Sequence, residues 1–224
     1  MIIVNAENIY ENEIKNFNVE GVFPVPLYRT NLKDELDEDE VKSLIIDNKN
    51  DENWIENINK NFSSNNSYIL DSGLDKMKNS LMNHINNFFF NVLGEDDSIT
   101  KIKMTQSWLN FNPKGTSHHQ HSHSNSIISG VLYLSCDDKT GNFNIHRTEN
   151  KLFKNFLTEK KSYNTYTYTH MWYKPKKYDL YLFPSNLEHS VDVNESENLR
   201  ISLAFNTFYT GKIGSYNQKT ELKF

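Results

Sequence analysis

From Ser98 onward the chain breaks into short runs of β-favouring residues separated by turn-forming clusters, and this pattern restricts the fold more than any other feature. The runs are Thr100 to Phe111, His118 to His123, Ile127 to Ser135, Asn142 to Arg147, Thr165 to Tyr173, Tyr178 to Phe183, Glu188 to Val193 and Leu199 to Tyr209. Asn112-Pro113-Lys114-Gly115, Asp137 to Gly141 and Pro184-Ser185-Asn186 supply the turn chemistry between them. So many short strands at this spacing predict a barrel or sandwich. Lys151 to Asn164 has weak periodicity in Leu152, Phe153, Phe156 and Leu157, and reads either as a lid over the strands or as a surface loop with a hydrophobic foot.

The earlier part of the chain reads differently. Gly21 to Tyr28 carries Val22, Phe23, Val25, Leu27 and Tyr28, while Pro24 and Pro26 exclude a helix interior, so an extended edge strand is expected. Asp37 with Glu40 forms a capping-box-like start for a helix with Val41, Leu44 and Ile45 on one face, ending near Asn48. A longer helix follows Asp71 and Ser72, with Leu74, Met77, Leu81, Ile85, Phe88 and Val92 at three- and four-residue steps and Gly94 as its stop. No repeat or linker interrupts the chain. One domain is expected over residues 1–224, with helical support mainly at 33–95 and a β core mainly at 98–210.

Composition bounds the function. Hydrophobic residues make up 37%, but aromatics at 13% bury large area per residue, so a sizeable core is still affordable. Much of the polar excess is asparagine, which reflects biased codon composition rather than a function. A net charge of -5 and the lack of any Lys/Arg stripe argue against nucleic acid as a partner. The single Cys136 rules out an internal disulfide and suits a reducing compartment, the cytoplasm, or the host cytoplasm if the chain is viral. No stretch approaches ~20 apolar residues, so no membrane span is expected.

Four of the eight histidines fall at His118, His119, His121 and His123. On a strand, alternation sends His119, His121 and His123 one way and His118 with Gln120 the other. Neutral imidazoles suit Fe, Zn, Cu or Ni rather than calcium or magnesium, although a His-rich surface strand is the bland alternative. A third ligand must come from elsewhere. His189, at a strand start after Pro184-Ser185-Asn186, is the best candidate, with His119 in reserve. Further on, alternation through Leu199 to Asn206 sets Arg200, Ser202, Ala204 and Asn206 on one face. If that face is inward, Arg200 is a desolvated guanidinium that needs an anionic partner, and a carboxylate ligand would satisfy it bidentately. The alternative turns Arg200 outward, with Ile201, Leu203 and Phe205 filling the core.

Taken in order and spacing, four segments resemble a known family. They are Ser107-Trp108-Leu109-Asn110; His121-Ser122-His123 followed by Ser129-Gly130-Val131-Leu132-Tyr133-Leu134; Phe183-Pro184-Ser185-Asn186-Leu187-Glu188-His189-Ser190-Val191; and Arg200-Ile201-Ser202-Leu203-Ala204-Phe205-Asn206. The family is the 2-oxoglutarate/Fe(II) oxygenases of bacteria and of phages of marine bacteria, and the resemblance spans roughly Leu27 to Phe208. It implies a mainly β fold with flanking helices around a double-stranded β-helix, a jelly-roll or cupin-like core. It implies Fe(II) on His121, His123 and His189, and 2-oxoglutarate with its far carboxylate gripped by Arg200 and Ser202, Asn110 and Tyr133 being further wall residues. The implied activity is a dioxygenase, a hydroxylase that couples decarboxylation of 2-oxoglutarate to oxidation by O2 of a small-molecule or peptide substrate.

Two departures stand out. The common pattern of the family is His-x-Asp/Glu with a distal His, whereas His123 stands at the carboxylate position. Three neutral imidazoles leave the metal at +2, so metal binding would lean more on the dianionic cosubstrate. Lys177-Tyr178-Asp179 also stands where such proteins often have a glycine. A cupin-type metalloprotein shares the barrel, and Gly115 with His121-Ser122-His123 resembles its first motif. Its expected glutamate is missing, since Ile127 and Ile128 occupy that place, and Arg200 has no role in it. A non-catalytic barrel used for binding or virion structure is the third reading.

Overall fold

The structure is a computed structural model that describes residues 24–49, 54–147, 164, 166–214 and 216–222. Its first strand, β1 (Tyr28–Asn31), precedes helix α1 (Glu38–Lys49) and the short strands β2 (Ile55–Glu56) and β3 (Phe62–Ser63). Helix α2 (Asp75–Asn86) follows and runs on as a π-helical stretch, Asn87–Val92. The remaining strands are β4 (Thr100–Asn112), β5 (His118–His121), β6 (Ile128–Ser135), β7 (Phe143–His146), β8 (His170–Tyr173), β9 (Asp179–Pro184), β10 (His189–Val191), β11 (Arg200–Ile213) and β12 (Thr220–Leu222).

These strands form two antiparallel sheets. The larger has the order β1-β9-β6-β11-β4-β3-β2, with β12 on β11, and the smaller has the order β5-β10-β7-β8. From β4 to β11 the chain passes back and forth between the sheets, which is the double-stranded β-helix expected from the resemblance. The small β2, β3 and β12 add to the larger sheet and were not foreseen in the sequence pattern.

The larger sheet is covered on both faces. Leu132, Leu134, Leu180, Leu182, Ile201, Leu203 and Phe205 pack with Val41, Leu44, Met77, Leu81, Ile85 and Phe88 of the helical layer. Their neighbours in sequence, Tyr133, Tyr181 and Phe183, form a second cluster with Phe143 of the smaller sheet. Period-two alternation therefore sorts residues between two buried faces rather than between core and water.

Local chemistry explains the helices. Asp37 Oδ1 accepts from the backbone N–H of Asp39 (2.9 Å) and Glu40 (3.3 Å), capping α1 as expected. Glu40 does not close a capping box, because its carboxylate instead accepts from the N–H groups of Lys76 (3.2 Å) and Met77 (2.8 Å) at the start of α2. One acidic side chain thus ties two helices. Val92, expected on the apolar stripe, is 53% exposed. The wider i→i+5 turn, in which Leu93 N–H bonds Phe88 O at 3.0 Å, rotates Val92 out of phase with Phe88 and Phe89.

Other boundaries move for physical reasons. The strand expected over Gly21 to Tyr28 starts only at Tyr28, and 24–27 are irregular where two prolines lack N–H groups. It does sit on an edge, paired only with β9. Residues 21–23 lie outside the described residues, as does nearly all of the candidate lid at Lys151 to Asn164. At Tyr178, near the place of the family glycine, φ is +70°, the left-handed region that costs a non-glycine residue about 1–3 kcal/mol. The tyrosine is held there by hydrogen bonds from its N–H to Tyr133 O (2.6 Å) and from its hydroxyl to Glu38 (2.6 Å).

Gly130 on β6 has no room for a side chain, since a Cβ would run into the Phe205 ring and come within 2.7 Å of Leu182 Cδ2. Both neighbours are fully buried. Gly130→Ala is expected to destabilise the fold by about 1–3 kcal/mol, as overpacking does, read as a lower denaturant midpoint at unchanged slope. A midpoint equal to wild type would show that the helix-side core yields.

Candidate metal and cosubstrate site

The register of β5 on β10 sets His121 directly opposite His189. The next pairing joins Val191 to His118, so three residues of β5 are spanned by two of β10. This bulge breaks the alternation used to assign faces to the histidines. His118, expected to point away, lies inside the cavity, with its ring stacked on His121 at 4.6 Å between centroids and 18° between planes. His119, the reserve ligand, is exposed and does not line the cavity.

His123 lies beyond the end of β5. Its backbone N–H donates to Ser185 O (2.9 Å), and Ser185 N–H donates to Ile127 O (3.0 Å), so the turn before His189 holds the loop that carries His123. Hydroxyls reinforce that junction, with the buried Ser185 Oγ 2.7 Å from Ser126 Oγ and 2.8 Å from the buried Ser129 Oγ. The outcome is a triad. One ring nitrogen from each of His121, His123 and His189 lies within 4.8 Å of the others, the one such group of metal-binding side chains among the described residues.

The free lone pairs point the right way. His121 Nδ1–H donates to His119 O (2.9 Å) and His189 Nδ1–H donates to Leu187 O (3.0 Å), which leaves each Nε2 unprotonated. His123 Nε2 is 3.3 Å from His189 Nε2. Burial pushes every one of these imidazoles down, His123 to about 4 and His118 to about 3, with His121 and His189 also lowered. All are neutral near pH 7, the form that binds a metal ion.

The residues expected from the sequence to bind cosubstrate come together through strand register. Ser202 on β11 is paired with Asn110 on β4 and with Tyr133 on β6, so three neighbouring strands place all three on one wall. Arg200 lies in the same cavity and is 1% exposed. Its Nη1 donates to the backbone carbonyls of Thr140 and Asp192, the latter at 3.2 Å. Among the described residues its buried Nη2 has no hydrogen-bond partner, and no Asp or Glu lines the cavity. A buried cation with an orphaned donor is costly unless an anion completes it, so the residues present fit a dicarboxylate. Burial pushes the Tyr133 phenol up, which keeps it a neutral donor on that wall.

Trp108, Asn112, Phe143, Phe183, Val131, Val191 and Ala204 complete the lining. The inward position of His118 escaped the sequence reading because a bulge leaves no periodic trace. Ser185 was visible only as part of a motif, since its role is a pair of backbone bonds.

Comparison with known proteins agrees with this geometry. The fold is shared with an oxidoreductase of the 2OG-Fe(II) oxygenase family from Burkholderia pseudomallei (11% identity, 81% of this chain and 83% of that one, TM-score 0.55). It is shared also with a prolyl hydroxylase from Trichoplax adhaerens, solved with a hypoxia inducible factor peptide (14%, 81% and 83%, 0.55). A third is the non-heme alpha ketoglutarate dependent epimerase SnoN from nogalamycin biosynthesis (9%, 84% and 81%, 0.58). At such identities the likeness establishes the double-stranded β-helix and no more. No curated protein matches the sequence. Residues 106–206, which hold the triad, Arg200 and the wall residues, match the family described as "Putative 2OG-Fe(II) oxygenase". Over that segment, which is somewhat less than half of the chain, the sequence is similar to the 2OG-Fe(II) oxygenases, and the histidine triad suits the binding of iron.

The lowered imidazoles make a stability prediction for the metal-free protein. Histidines unfolded in water take up protons near pH 6.5, whereas in the fold His123 does so only near 4 and His118 near 3. Between those limits the unfolded chain binds more protons, so stability present above pH 6.5 is lost as pH falls toward 4. Thermal melts of chelator-treated protein should therefore drop steadily from pH 7 to pH 4.5, and a flat profile would mean the histidines are not held neutral.

Proposed function

We propose that His121, His123 and His189 hold Fe(II), and that Arg200 with Ser202, Asn110 and Tyr133 binds 2-oxoglutarate. The observation that carries this is the unpaired Nη2 of Arg200, buried in the cavity that the histidine triad also lines. When bound, the metal and cosubstrate supply an O2-driven oxidation in which 2-oxoglutarate loses CO2 to become succinate and a second substrate is oxidised, most simply by hydroxylation. The protein contributes placement. Leu187 O and His119 O fix two imidazole tautomers, Ser185 fixes the third imidazole, and Arg200 sets the orientation of the dicarboxylate. Burial of the wall residues keeps water from competing for those donors.

The missing carboxylate gives this site its own electrostatics. Three neutral imidazoles and a dianionic cosubstrate sum to zero with Fe(II), so cosubstrate and metal should each tighten the binding of the other. The substrate is proposed to be a small molecule or a peptide, in line with the two kinds of chemistry named for the structural neighbours. One domain over residues 1–224, acting in the cytoplasm, or in host cytoplasm if the chain is viral, is the accompanying proposal; the lone Cys136 supports the compartment. No helix among the described residues is long and apolar enough to cross a membrane.

Two measurements test this reading. In anaerobic titrations, His121→Ala and His189→Ala should each abolish tight Fe(II) binding, and unchanged affinity in either protein would remove that residue from the site. Arg200→Ala should weaken 2-oxoglutarate binding by roughly 2–5 kcal/mol, about 30-fold or more, by analogy with truncation of one partner in a buried charge pair. Metal affinity measured without cosubstrate should hardly change. Arg200→Lys should recover only part of the loss, because a point charge replaces a planar fork. Equal 2-oxoglutarate affinity in the Arg200→Ala protein would show that the far carboxylate is anchored elsewhere.

A further inference from the structure

His118 is a cavity-lining imidazole outside the triad. Its position follows from the bulge: along β10 the chain passes from His189, opposite His121, to Val191, opposite His118, and then to Asp192, whose carbonyl accepts from Arg200. At about 3.3 Å per strand residue, His189 to Asp192 covers about 10 Å. His118 therefore sits along the line from the triad to the guanidinium. Burial and stacking fix it there, and the charge of Arg200 is close enough to help depress its protonation.

Its hydrogen bonding is defined as well. The Asn61 side chain, fully buried in the turn between β2 and β3, places its Nδ2 3.4 Å from His118 Nδ1. With the Asn61 amide in this orientation, which leaves its Oδ1 without a hydrogen-bond partner among the described residues, Nδ1 accepts and the ring proton of the neutral imidazole resides on Nε2. The cavity thus presents a second donor in addition to Arg200 Nη2, and among the described residues no carboxylate lines it to receive either.

We propose that His118 is a cosubstrate-binding residue, whose Nε2–H donates to a carboxylate of 2-oxoglutarate between the metal triad and Arg200. This rests on the oxygenase reading above and assigns to that site a donor that the sequence pattern sent to the opposite strand face. Asn61 is a positioning residue for it, acting only through the tautomer of His118. The role differs from that of His121, whose Nδ1–H is already spent on His119 O and whose Nε2 offers a lone pair.

The test is calorimetric titration of 2-oxoglutarate into the full-length protein loaded with redox-inert Zn(II), comparing wild type, His118→Phe and His118→Gln. Phenylalanine keeps a flat ring against His121 but has no donor; glutamine keeps a donor. His118→Phe should raise the Kd for 2-oxoglutarate about tenfold, the size of one hydrogen bond to a charged group, while Zn(II) affinity measured alone stays within about twofold of wild type, well inside that tenfold effect. His118→Gln should recover most of the cosubstrate affinity. Unchanged Kd in the phenylalanine variant would overturn the proposal, and so would a parallel loss of Zn(II), which would make His118 a metal ligand. If the Zn(II)-loaded wild type itself fails to bind 2-oxoglutarate, the oxygenase reading falls and this proposal with it.

Discussion

A guanidinium buried to 1% exposure, with Nη1 satisfied by backbone carbonyls and Nη2 by nothing among the described residues, sets the terms for the rest of the site. Burying a cation is expensive, and the fold offsets only part of the cost. The carbonyls of Thr140 and Asp192 hold Nη1 in place, and no acidic side chain in the cavity neutralises the charge. A fully paired Arg200 would be a structural ion pair with no reason to bind anything. The unpaired donor makes the cavity selective for an anion that can reach it.

Delivering that anion to a metal requires the two sheets to meet in one register. Strand β11 is paired with β4 from Arg200 to Gly211 and with β6 from Ile201 to Asn206, so Arg200, Ser202, Asn110 and Tyr133 share a wall without any being adjacent in sequence. The opposite wall is built from β5 and β10, where His121 faces His189. His123 is placed by hydrogen bonds rather than by a strand, and the buried Ser129 and Ser185 with the half-buried Ser126 lock the two loops together. A chain of hydroxyls in a low-dielectric interior is strong when fully satisfied, which suits a junction that must not drift.

Electrostatics follow from this placement. Every imidazole in the cavity is neutral because it is buried beside other imidazoles, and the first cause in each case is desolvation. With His123 rather than a carboxylate in the triad, the cavity that holds Arg200 has no negative side chain among the described residues, so its lining carries a net positive bias.

How much of this was legible in the sequence depends on whether a residue's task is local. The Asp37 cap of α1, the turn at Gly94, the β-rich second half and the placing of Arg200 and Ser202 on one face all follow from short-range chemistry, and the structure keeps them. The choice between an inward Arg200 and a core of Ile201, Leu203 and Phe205 was false, because β11 is buried on both faces and each reading describes one of them. Alternation cannot reveal that. Nor could it place His118, since one extra residue in β5 reverses the side to which every residue before it points. The sequence by itself determined which side chains could bind a metal and an anion, because donor type and charge are properties of single residues. Tertiary structure alone decided which of them meet, because strand register and a bulge are set by partners far along the chain.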